Sequence, residues 1–513
     1  MKDSGLKRIF TWSFPRAEKD CPEYTPIERN MFAAGMFGQN LIYQIVGSYL
    51  SIFYTDVIFV PTLALLVVTV ISRVWDAIND LLMGTIVDKT HSRWGKCRPY
   101  LKYFPIPIGI FTVLMFSPIK EMSDIPKVLF VIFTWLTWEA LYTLGDIPLW
   151  GMTSLMTDNI EKRTKLVSLS RIIGGASVLV TIIFEPIMNF FASRDIGMFS
   201  QVAEKEGYTF FSYQQGYFFT VIALTVVGVI FFKLPFIYGR ERVKPTETVD
   251  SLGFKESFHL FFSNKFFVRT VLSSILGCGK NLVTSVSIYF CTWVLANGGN
   301  YTPWYMLLFA PWLIGNLFTM AFSNFFEQRL GKVRIMKLSS FLCVIPFGLT
   351  FLALAFLGNS VPAIVITCIC MFFIGAASGF TSVFYTTMIT DSIDYMEWKT
   401  GKRYDGVYLS GLNFISKFSN AVILGVTYFT FWLVNYSDRI EEIKNLISDG
   451  SLTGLNFREQ YPDITIALII LMTAVPLVSS VLQGLPLLGY KLDNKMHAEI
   501  ISELQERRNS NAE

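Results

Sequence analysis

Ionisable side chains are scarce in this sequence. Asp, Glu, Lys and Arg make up 16% of its 513 residues, and it has only three histidines, His91, His259 and His497. All three histidines fall in polar segments, and none has a second metal ligand at the spacing that a metal centre needs. The sequence therefore predicts no catalytic residue and no bound cofactor, so an enzyme is not expected.

Cysteine is also missing from the places where a disulfide framework would need it. Two of the cysteines, Cys21 and Cys97, lie in polar segments, and the others lie in apolar runs at Cys278, Cys291, Cys343, Cys368 and Cys370. The sequence thus offers no framework of external disulfides.

Long apolar runs are what the sequence has in abundance, because hydrophobic residues account for 52% of it. Runs of about 20 apolar residues are long enough to cross a bilayer core of about 30 Å. We therefore predict an all-α membrane protein of twelve transmembrane helices, at Met31–Tyr54, Thr62–Gly84, Tyr100–Ser117, Val128–Trp150, Leu166–Phe191, Gly216–Phe236, Phe266–Leu295, Pro303–Phe326, Ile335–Leu357, Pro362–Met388, Tyr408–Leu433 and Ile464–Leu488.

Basic residues are distributed unevenly between the segments that join these spans. Most of the 43 Lys and Arg precede the first span, follow an even-numbered span or lie in the tail. By the positive-inside rule, this bias predicts a multi-pass protein of the cell membrane with both termini in the cytoplasm. Residues 1–30 are expected to form a cytoplasmic leader, without the apolar core of a cleaved signal peptide, and residues 491–513 a cytoplasmic tail. The net charge of +4 then reflects topology, so the expected partner is the lipid bilayer and not nucleic acid.

Two short motifs occur twice, at equivalent places in the predicted topology. Residues 93–98 (RWGKCR) follow the second span and are echoed at 329–334 (RLGKVR) after the eighth. Residues 156–160 (MTDNI) follow the fourth span and are echoed at 389–393 (ITDSI) after the tenth, with a nearly equal offset. The nearly equal offsets of the two motif pairs indicate duplication of a six-span unit. The expected architecture is the major facilitator fold, with halves at 31–237 and 265–490 and a cytoplasmic linker at 238–264, and transport is the expected function.

The basic loop motifs have two interpretations. Their Lys and Arg can serve only to orient the spans, as positive charge does in any cytoplasmic loop. The repeated glycine, which allows a tight turn, favours a cytoplasmic latch that forms and breaks as the halves move. The candidate gate residues are Asp88, Arg93, Gly95, Lys96, Arg98, Asp391 and Asp394, the last two placed in the loop after the tenth span.

The second span carries three ionisable residues, Arg73, Asp76 and Asp80, although each charge inside a bilayer costs about 2.5 to 3.5 kcal/mol. Their spacing of three and four residues places them on one helix face beside Asn79. An Arg73–Asp76 ion pair that neutralises itself is the simplest interpretation. It does not account for Asp80, and two carboxylates one turn apart can bind a monovalent cation such as Na⁺ or share a proton.

The fourth span presents a polar and aromatic stripe at helical spacing, formed by Glu139, Tyr142, Thr143, Asp146 and Trp150. A carboxylate that accepts paired sugar hydroxyls, next to an aromatic plane that packs on the ring, is a common solution for carbohydrate binding. The alternative is an aromatic belt with one Asp that serves helix packing.

Three further spans each carry one isolated positive charge, and each needs a partner. For every one of them, a structural ion pair and contact with the solute both stay open. The basic residues are Arg171, Lys280 and Lys417, and their candidate partners are Glu139, Asp146, Glu185, Asp76 and Asp80.

Several of these segments together resemble the glycoside–pentoside–hexuronide:cation symporters, typified by the melibiose carrier. The resemblance extends over nearly the whole chain, and its most specific segments are Gly38–Leu41, Phe53–Asp56, Arg73–Gly84, Arg93–Pro99, Tyr142–Trp150 and Asp391–Tyr395.

The resemblance implies uptake of a sugar or glycoside, driven by a gradient of Na⁺, H⁺ or Li⁺, by a protein that functions as a monomer. The family pattern places cation binding on Asp76, Asp80 and Thr143, with Asn79 adjusting the choice of ion. It places sugar binding on Asp146, Trp150, Arg171, Tyr142 and Lys417.

Departures from the melibiose carrier bear on the substrate. Gln39 and Asn40 stand where that carrier has a lysine and an aspartate, so a sugar-binding carboxylate has become an amide, while Ser382 and Leu81 replace a tryptophan and a proline. With one anion fewer and Lys280 added, an anionic glycoside such as a glucuronide is one expectation. If Lys280 instead pairs with an acidic side chain, a neutral glycoside is expected. A lysolipid carrier is the runner-up, because distant eukaryotic relatives of this family move lysolipids.

Overall fold

Helices form the fold throughout the part of the chain that the structure describes. The computed structural model describes residues 23–510 apart from 89, 91, 120, 158–159, 194–213, 243–261, 402–404 and 449–455, and this part contains no β-strand. The principal helices are α1 Pro26–Ile52, α2 Thr62–Asp88, α3 Pro105–Met115, α4 Asp124–Leu155, α5 Ile160–Gly175 with Val180–Ala192, α6 Gln214–Tyr238, α7 Lys265–Leu295, α8 Thr302–Ala321, α9 Lys332–Phe356, α10 Val361–Thr400, α11 Asp405–Leu433, α12 Pro462–Leu488 and α13 Asn494–Ser510.

Helices occupy all twelve segments predicted to span the membrane, as α1 to α12. Within the described residues, seven helices are long and apolar enough to cross a membrane, or nine if each of two bent pairs is one span. The apolar parts of α2 and α3 are shorter, at Thr62–Arg73 and Pro105–Met115. Shorter helices precede or follow the spans at Arg98–Tyr103, Ser323–Leu330, Tyr436–Ser448 and Phe457–Gln460.

The tenth helix is longer than the sequence predicts. It continues past Met388 to Thr400 and ends at Gly401, which has a left-handed backbone with φ of 71°. The prediction that Asp391 and Asp394 lie in a loop is therefore wrong, because the helix extends beyond the apolar run that marks its membrane part. Apolar length defines how much of a helix fits the bilayer and not where its hydrogen-bond ladder stops.

Several spans contain local departures from α-helical geometry. π-helical segments occur at Phe53–Val57 after α1, at Phe290–Leu295 in α7 and at Ile470–Ala474 in α12. A short 3₁₀ segment interrupts α5 at Ala176–Leu179, and another interrupts α7 at Cys278–Asn281. Such interruptions redirect side chains within a helix and are frequent at functional sites.

Glycines allow helix backbones to approach closely at two places. A Cβ on Gly375 of α10 would lie 1.9 Å from the backbone oxygen of Trp312, and one on Gly315 of α8 would lie 2.1 Å from that of Phe372. Gly38 of α1 faces the backbone of α6 in the same way. Small residues at helix contacts are typical of membrane bundles, whose association depends on van der Waals packing.

The distribution of polarity is the reverse of that in a soluble protein. Phe356 is 80% exposed and Val361 is 73% exposed, whereas Asp76, Asn79 and Glu139 are buried. An apolar exterior with polar groups inside fits a bundle whose surroundings are lipid. Buried polar groups of this kind usually carry the function of a membrane protein.

Candidate functional site

One buried carboxylate lies between two basic side chains in the middle of the bundle. Asp76 of α2 accepts a hydrogen bond from the guanidinium of Arg73, one turn earlier, at 2.8 Å. The ammonium of Lys417 on α11 lies 3.8 Å from the other oxygen of Asp76. The Arg73–Asp76 pair expected from the spacing is confirmed, and Asp76 is identified as a partner of Lys417. This carboxylate joins the first six helices to the last six.

Unsatisfied oxygens lie close to this carboxylate. Asn79 of α2 donates to the hydroxyl of Thr143 on α4 at 3.0 Å, so the two predicted cation-binding residues are in contact. The carbonyl oxygen of the Asn79 side chain is buried and has no hydrogen-bond partner among the described residues. A buried acceptor without a donor is costly unless a ligand or water completes it. The side chains of Asp80 and Asp88 lie outside the described residues.

Glu139 of α4 adds a second such oxygen. One of its carboxylate oxygens accepts from the indole of Trp135 at 2.8 Å. The other is buried and lacks a hydrogen-bond partner within the described part of the chain. Asp76 and Arg73 are close enough to Glu139 to interact with it electrostatically. Oxygen atoms of this kind suit a hard cation.

The predicted sugar-binding residues of α1 and α4 are also in contact. The side-chain amide of Gln39 donates to Asp146 at 2.8 Å and lies against the hydroxyl of Tyr142. The amide of Asn40 donates to the side-chain oxygen of Gln39 at 2.8 Å. The side-chain amides of Gln39 and Asn40 thus form a neutral chain that ends on the Asp146 carboxylate.

Aromatic rings accompany these polar groups. Trp138 stacks on Tyr142 with ring centroids 4.8 Å apart, and Tyr43 packs on the same tyrosine at 5.5 Å. The guanidinium of Arg171 on α5 lies 5.8 Å from the ring centre of Trp150. These rings offer flat apolar surfaces beside hydrogen-bonding groups, as carbohydrate sites do.

Lys280 lies apart from this cluster. It occupies the 3₁₀ interruption of α7, is 7% exposed, and its ammonium contacts the hydroxyl of Thr381 on α10 at 3.5 Å. Among the described side chains, none of the acidic residues considered as its partners forms an ion pair with it. The role of Lys280 in sugar binding therefore stays a prediction.

At the end of the bundle that carries residues 93–98 and 329–334, called here the basic end, a glutamate holds the first loop motif. The carboxylate of Glu241 accepts from the backbone amides of Lys96 and Cys97 at 2.7 Å and of Arg98 at 3.0 Å. Gly95 has φ of 110°, and a Cβ there would lie 2.3 Å from the same carboxylate. The positive φ favours glycine at Gly95, and at its repeat Gly331, where φ is 76°.

The second motif is held at the basic end by an ion pair. Lys332 pairs with Asp391 of α10, and both side chains are buried. The imidazole of His497, on α13, lies 3.1 Å from Asp394 and 3.5 Å from Asp391. The two predicted gate residues of α10, Asp391 and Asp394, therefore both contact a residue of the predicted tail. Arg93, by contrast, lies over the ring of Trp94 at 4.3 Å.

Sequence reasoning missed two residues of these assemblies. Glu241 was assigned only to the linker and His497 only to the tail, and each makes its contacts across a long sequence interval. Acidity immediately after the sixth span was the available signal for Glu241, since backbone amides of a tight turn attract an anion. For His497 the sequence offers no comparable signal.

Comparison with known proteins places this arrangement in a transporter family. Residues 31–494 match the family model of MFS/sugar transport proteins, so the chain belongs to that family. It is a multi-pass membrane transporter of the major facilitator superfamily and not an enzyme.

Particular relatives cover nearly the full chain. An uncharacterized symporter, YnaJ of Bacillus subtilis (strain 168), is 28% identical over 94% of this chain and 95% of its own length. The isoprimeverose transporter of Lactiplantibacillus pentosus is 26% identical over 94% of this chain and 91% of its own length. The glucuronide carrier protein homolog of Escherichia coli (strain K12) is 23% identical over 93% of this chain and 95% of its own length.

Solved structures show the same fold. The nucleoside transporter NupG superimposes with a TM-score of 0.56 at 12% identity, over 90% of this chain and 100% of that one. A bacterial homolog of the human lysosomal transporter Spinster, in an inward-facing and unoccupied conformation, superimposes with a TM-score of 0.54 at 13% identity. The superposition covers 90% of this chain and 95% of that one. The predicted major facilitator fold is confirmed.

Proposed function

We propose that this sugar-family transporter is a symporter that couples a glycoside or related sugar to Na⁺ or H⁺, by alternating access, in the cell membrane. Both termini would then face the cytoplasm. The observation that carries the proposal is Asp76, a buried carboxylate held by Arg73 from its own helix and by Lys417 from the other six-helix group. A cation that competes for this carboxylate changes a contact between the two groups, which is what coupling requires.

The cation is assigned to the oxygens around Asp76. A dehydrated ion would gain ligands from the unsatisfied side-chain oxygens of Asn79 and Glu139 and from the hydroxyl of Thr143, which contacts Asn79. Proton coupling uses the same groups, because neighbouring carboxylates in a low dielectric do not ionise together easily. Either ion neutralises part of the negative charge of the cluster and loosens the hold of Lys417.

The sugar is assigned to the neighbouring groups on α1, α4 and α5. Asp146, fixed by Gln39, offers a charged acceptor for hydroxyl groups. Trp150 offers an aromatic ring next to the Arg171 guanidinium, and Tyr142 lies alongside, stacked on Trp138. The isoprimeverose transporter among the relatives supports a glycoside as the class of solute. Gln39 contacts Asp146 and Tyr142, and it thereby links the proposed sugar-binding side chains of α1 to those of α4.

A thermal-stability screen of the purified protein tests the proposed pair of ligands. A ligand that binds the native state raises the Tm by mass action. We expect one or more glycosides to raise the Tm, and Na⁺ or a change of pH to enlarge that rise. Lysolipids serve as the competing class. Stabilisation by a lysolipid, with no response to any glycoside under either ionic condition, would contradict the proposal.

An anionic glycoside is the second candidate, and Lys280 is the observation that favours it. The ammonium of Lys280 is buried, and the polar contact described for it is the hydroxyl of Thr381. Within the described part of the chain it has no counter-charge. Such groups inside a membrane are costly and are usually functional. A carboxylate on the solute would supply the missing charge, and the glucuronide carrier homolog shows a relative named for such a solute.

We expect Lys280→Gln to lower uptake of a glucuronide relative to its neutral glucoside by about tenfold or more, because one charge-assisted contact would be lost. The measurement is the ratio of the two uptake rates in proteoliposomes. Lys337→Gln, which alters a lysine at the basic end, is the matched control and should leave the ratio unchanged. An unchanged ratio in Lys280→Gln would show that this lysine is structural.

A further inference from the structure

A second buried carboxylate joins the two six-helix groups at the end of the bundle opposite the basic end. Asp56, in the π-helical segment after α1, is 0% exposed. It accepts hydrogen bonds from the hydroxyl of Thr55 at 2.6 Å, the indole of Trp293 at 2.8 Å and the hydroxyl of Tyr436 at 3.2 Å. Trp293 belongs to α7 and Tyr436 begins the helix that follows α11. We call this end, marked by Asp56, Trp293 and Tyr436, the distal end.

Asp56 and Trp293 occupy equivalent positions of the internal repeat. Residues 53–57 (FYTDV) and 290–294 (FCTWV) share three of their residue types, and both segments are π-helical. The two residues are 237 positions apart, close to the offsets of the repeated loop motifs. In a duplicated fold, equivalent residues that touch lie near the axis that relates the two halves. The Asp56–Trp293 bond therefore lies on the interface between the halves, near the axis that relates them.

A second layer of cross-group bonds lies one turn deeper. The hydroxyl of Ser51 on α1 is 2.9 Å from that of Tyr428 on α11 and 2.9 Å from that of Tyr289 on α7. Thr55 also approaches the Tyr289 hydroxyl, at 3.1 Å. These hydroxyls and the Asp56 carboxylate form one continuous polar contact between the groups.

A lysine and a strained turn complete the distal end. The ammonium of Lys444 contacts the backbone oxygen of Asp56 and lies 5.2 Å from the ring of Phe59. Phe59 has φ of 51°, an unfavourable conformation for a bulky residue. Strain of this kind persists only where the surroundings hold it. The turn after α1 is thus held by a residue of the other helix group.

From this geometry we infer that Asp56 is the residue that keeps the distal end closed, and that its bonds to Trp293 and Tyr436 break whenever this end opens. The inference rests on the transporter class, which the family establishes, and not on the proposed cation or sugar. In the open state water replaces these donors at Asp56. The Asp56 carboxylate therefore sets the balance between closed and open without being a ligand of the solute.

The substitution Asp56→Asn keeps the shape of the side chain but replaces the carboxylate with a neutral amide. Trp293 and Tyr436 donate to the same oxygen of Asp56, so the amide can still accept both bonds, but without the help of a negative charge. Charge-assisted bonds are roughly twice as strong as neutral ones. Weakening of both bonds across the interface, together with loss of the carboxylate's attraction to the Lys444 ammonium, is expected to increase the population of the open distal end on the order of 10- to 100-fold. Trp293→Phe removes one bond and leaves the carboxylate, so its effect should be smaller and of the same sign.

The test uses the full-length protein in lipid nanodiscs with Ser437→Cys as a reporter. Ser437 is 4% exposed and lies between the groups, where its hydroxyl is 3.4 Å from the Val60 carbonyl. We expect maleimide to label the reporter at least tenfold faster when Asp56→Asn is added, and several-fold faster with Trp293→Phe. Mass spectrometry of the peptides separates the reporter from the native cysteines.

Two controls separate gating from unfolding. Asp463→Asn changes another distal aspartate, which pairs with Arg439 outside this contact, and should leave labelling unchanged. Native Cys97, buried at the basic end, should not label faster in the same samples. Unchanged labelling of the reporter in folded Trp293→Phe would overturn the inference, and so would a parallel rise at Cys97. If Asp56→Asn does not fold, the Trp293→Phe result decides.

Discussion

Asp76→Asn is expected to abolish accumulation of the glycoside against its gradient. The variant removes the charge that a coupling cation needs, and it leaves Arg73 and Lys417 near a neutral amide. Accumulation in proteoliposomes should fall to the level of protein-free vesicles, and the cation should no longer enlarge the rise in Tm caused by the sugar. Cation-dependent accumulation at the level of the unsubstituted protein would refute the assignment of Asp76.

Two comparisons distinguish loss of coupling from loss of folding. Asp124→Asn makes the same chemical change at an exposed aspartate at the start of α4 and should leave accumulation intact. Adding Lys417→Met to Asp76→Asn removes one uncompensated charge and should recover part of the Tm. It should not recover accumulation, because no carboxylate is restored. Recovery of accumulation in the double variant would show that Asp76 only neutralises Lys417.

Gly375→Ala is expected to disrupt the packing of α8 on α10. Its Cβ would lie 1.9 Å from the Trp312 carbonyl oxygen, and these are backbone atoms that no side-chain rotation can relieve. The two helices would have to separate by roughly 1 Å, at a cost at or above the usual range of about 1–3 kcal/mol for overpacking. We expect a large loss of monodisperse protein and a lower Tm by light-scattering and fluorescence melts.

The control for this substitution is another helical glycine. A Cβ on Gly425 of α11 would have no heavy atom of another segment within 4 Å, so Gly425→Ala meets no obstacle among the described residues. Alanine is also the better helix former, and this variant should be neutral or slightly stabilised. Equal behaviour of Gly375→Ala and Gly425→Ala would contradict the close approach of α8 and α10.

The sequence predicts the spans well because the bilayer imposes one length on every apolar run. Each of the twelve predicted segments is helical, and the repeat was visible in two loop motifs. The end of α10 was missed, since hydrophobicity does not report where a helix stops outside the bilayer. The first span is helical although it carries Gln39 and Asn40, polar residues that weaken the apolar signal.

The contacts within the site depend on tertiary packing and are only partly encoded in local spacing. The Arg73–Asp76 pair follows from one helical turn and was expected. The link from Asp76 to Lys417 was one of several open pairings, because residues on different helices can meet in many ways. The contact between Gln39 and Asp146 likewise needs the packing of α1 against α4. Lys280 contacts a hydroxyl, and none of the acidic side chains that the structure describes pairs with it.

Gradient-driven uptake measures the central claim most directly. Purified protein in sealed proteoliposomes is given the glycoside found in the stability screen, with an imposed Na⁺ gradient or an imposed pH gradient. We predict that one of the two gradients drives the internal glycoside above its external concentration, and that collapsing the gradient with an ionophore releases it. Entry of the glycoside only to equal concentrations under both gradients would contradict symport.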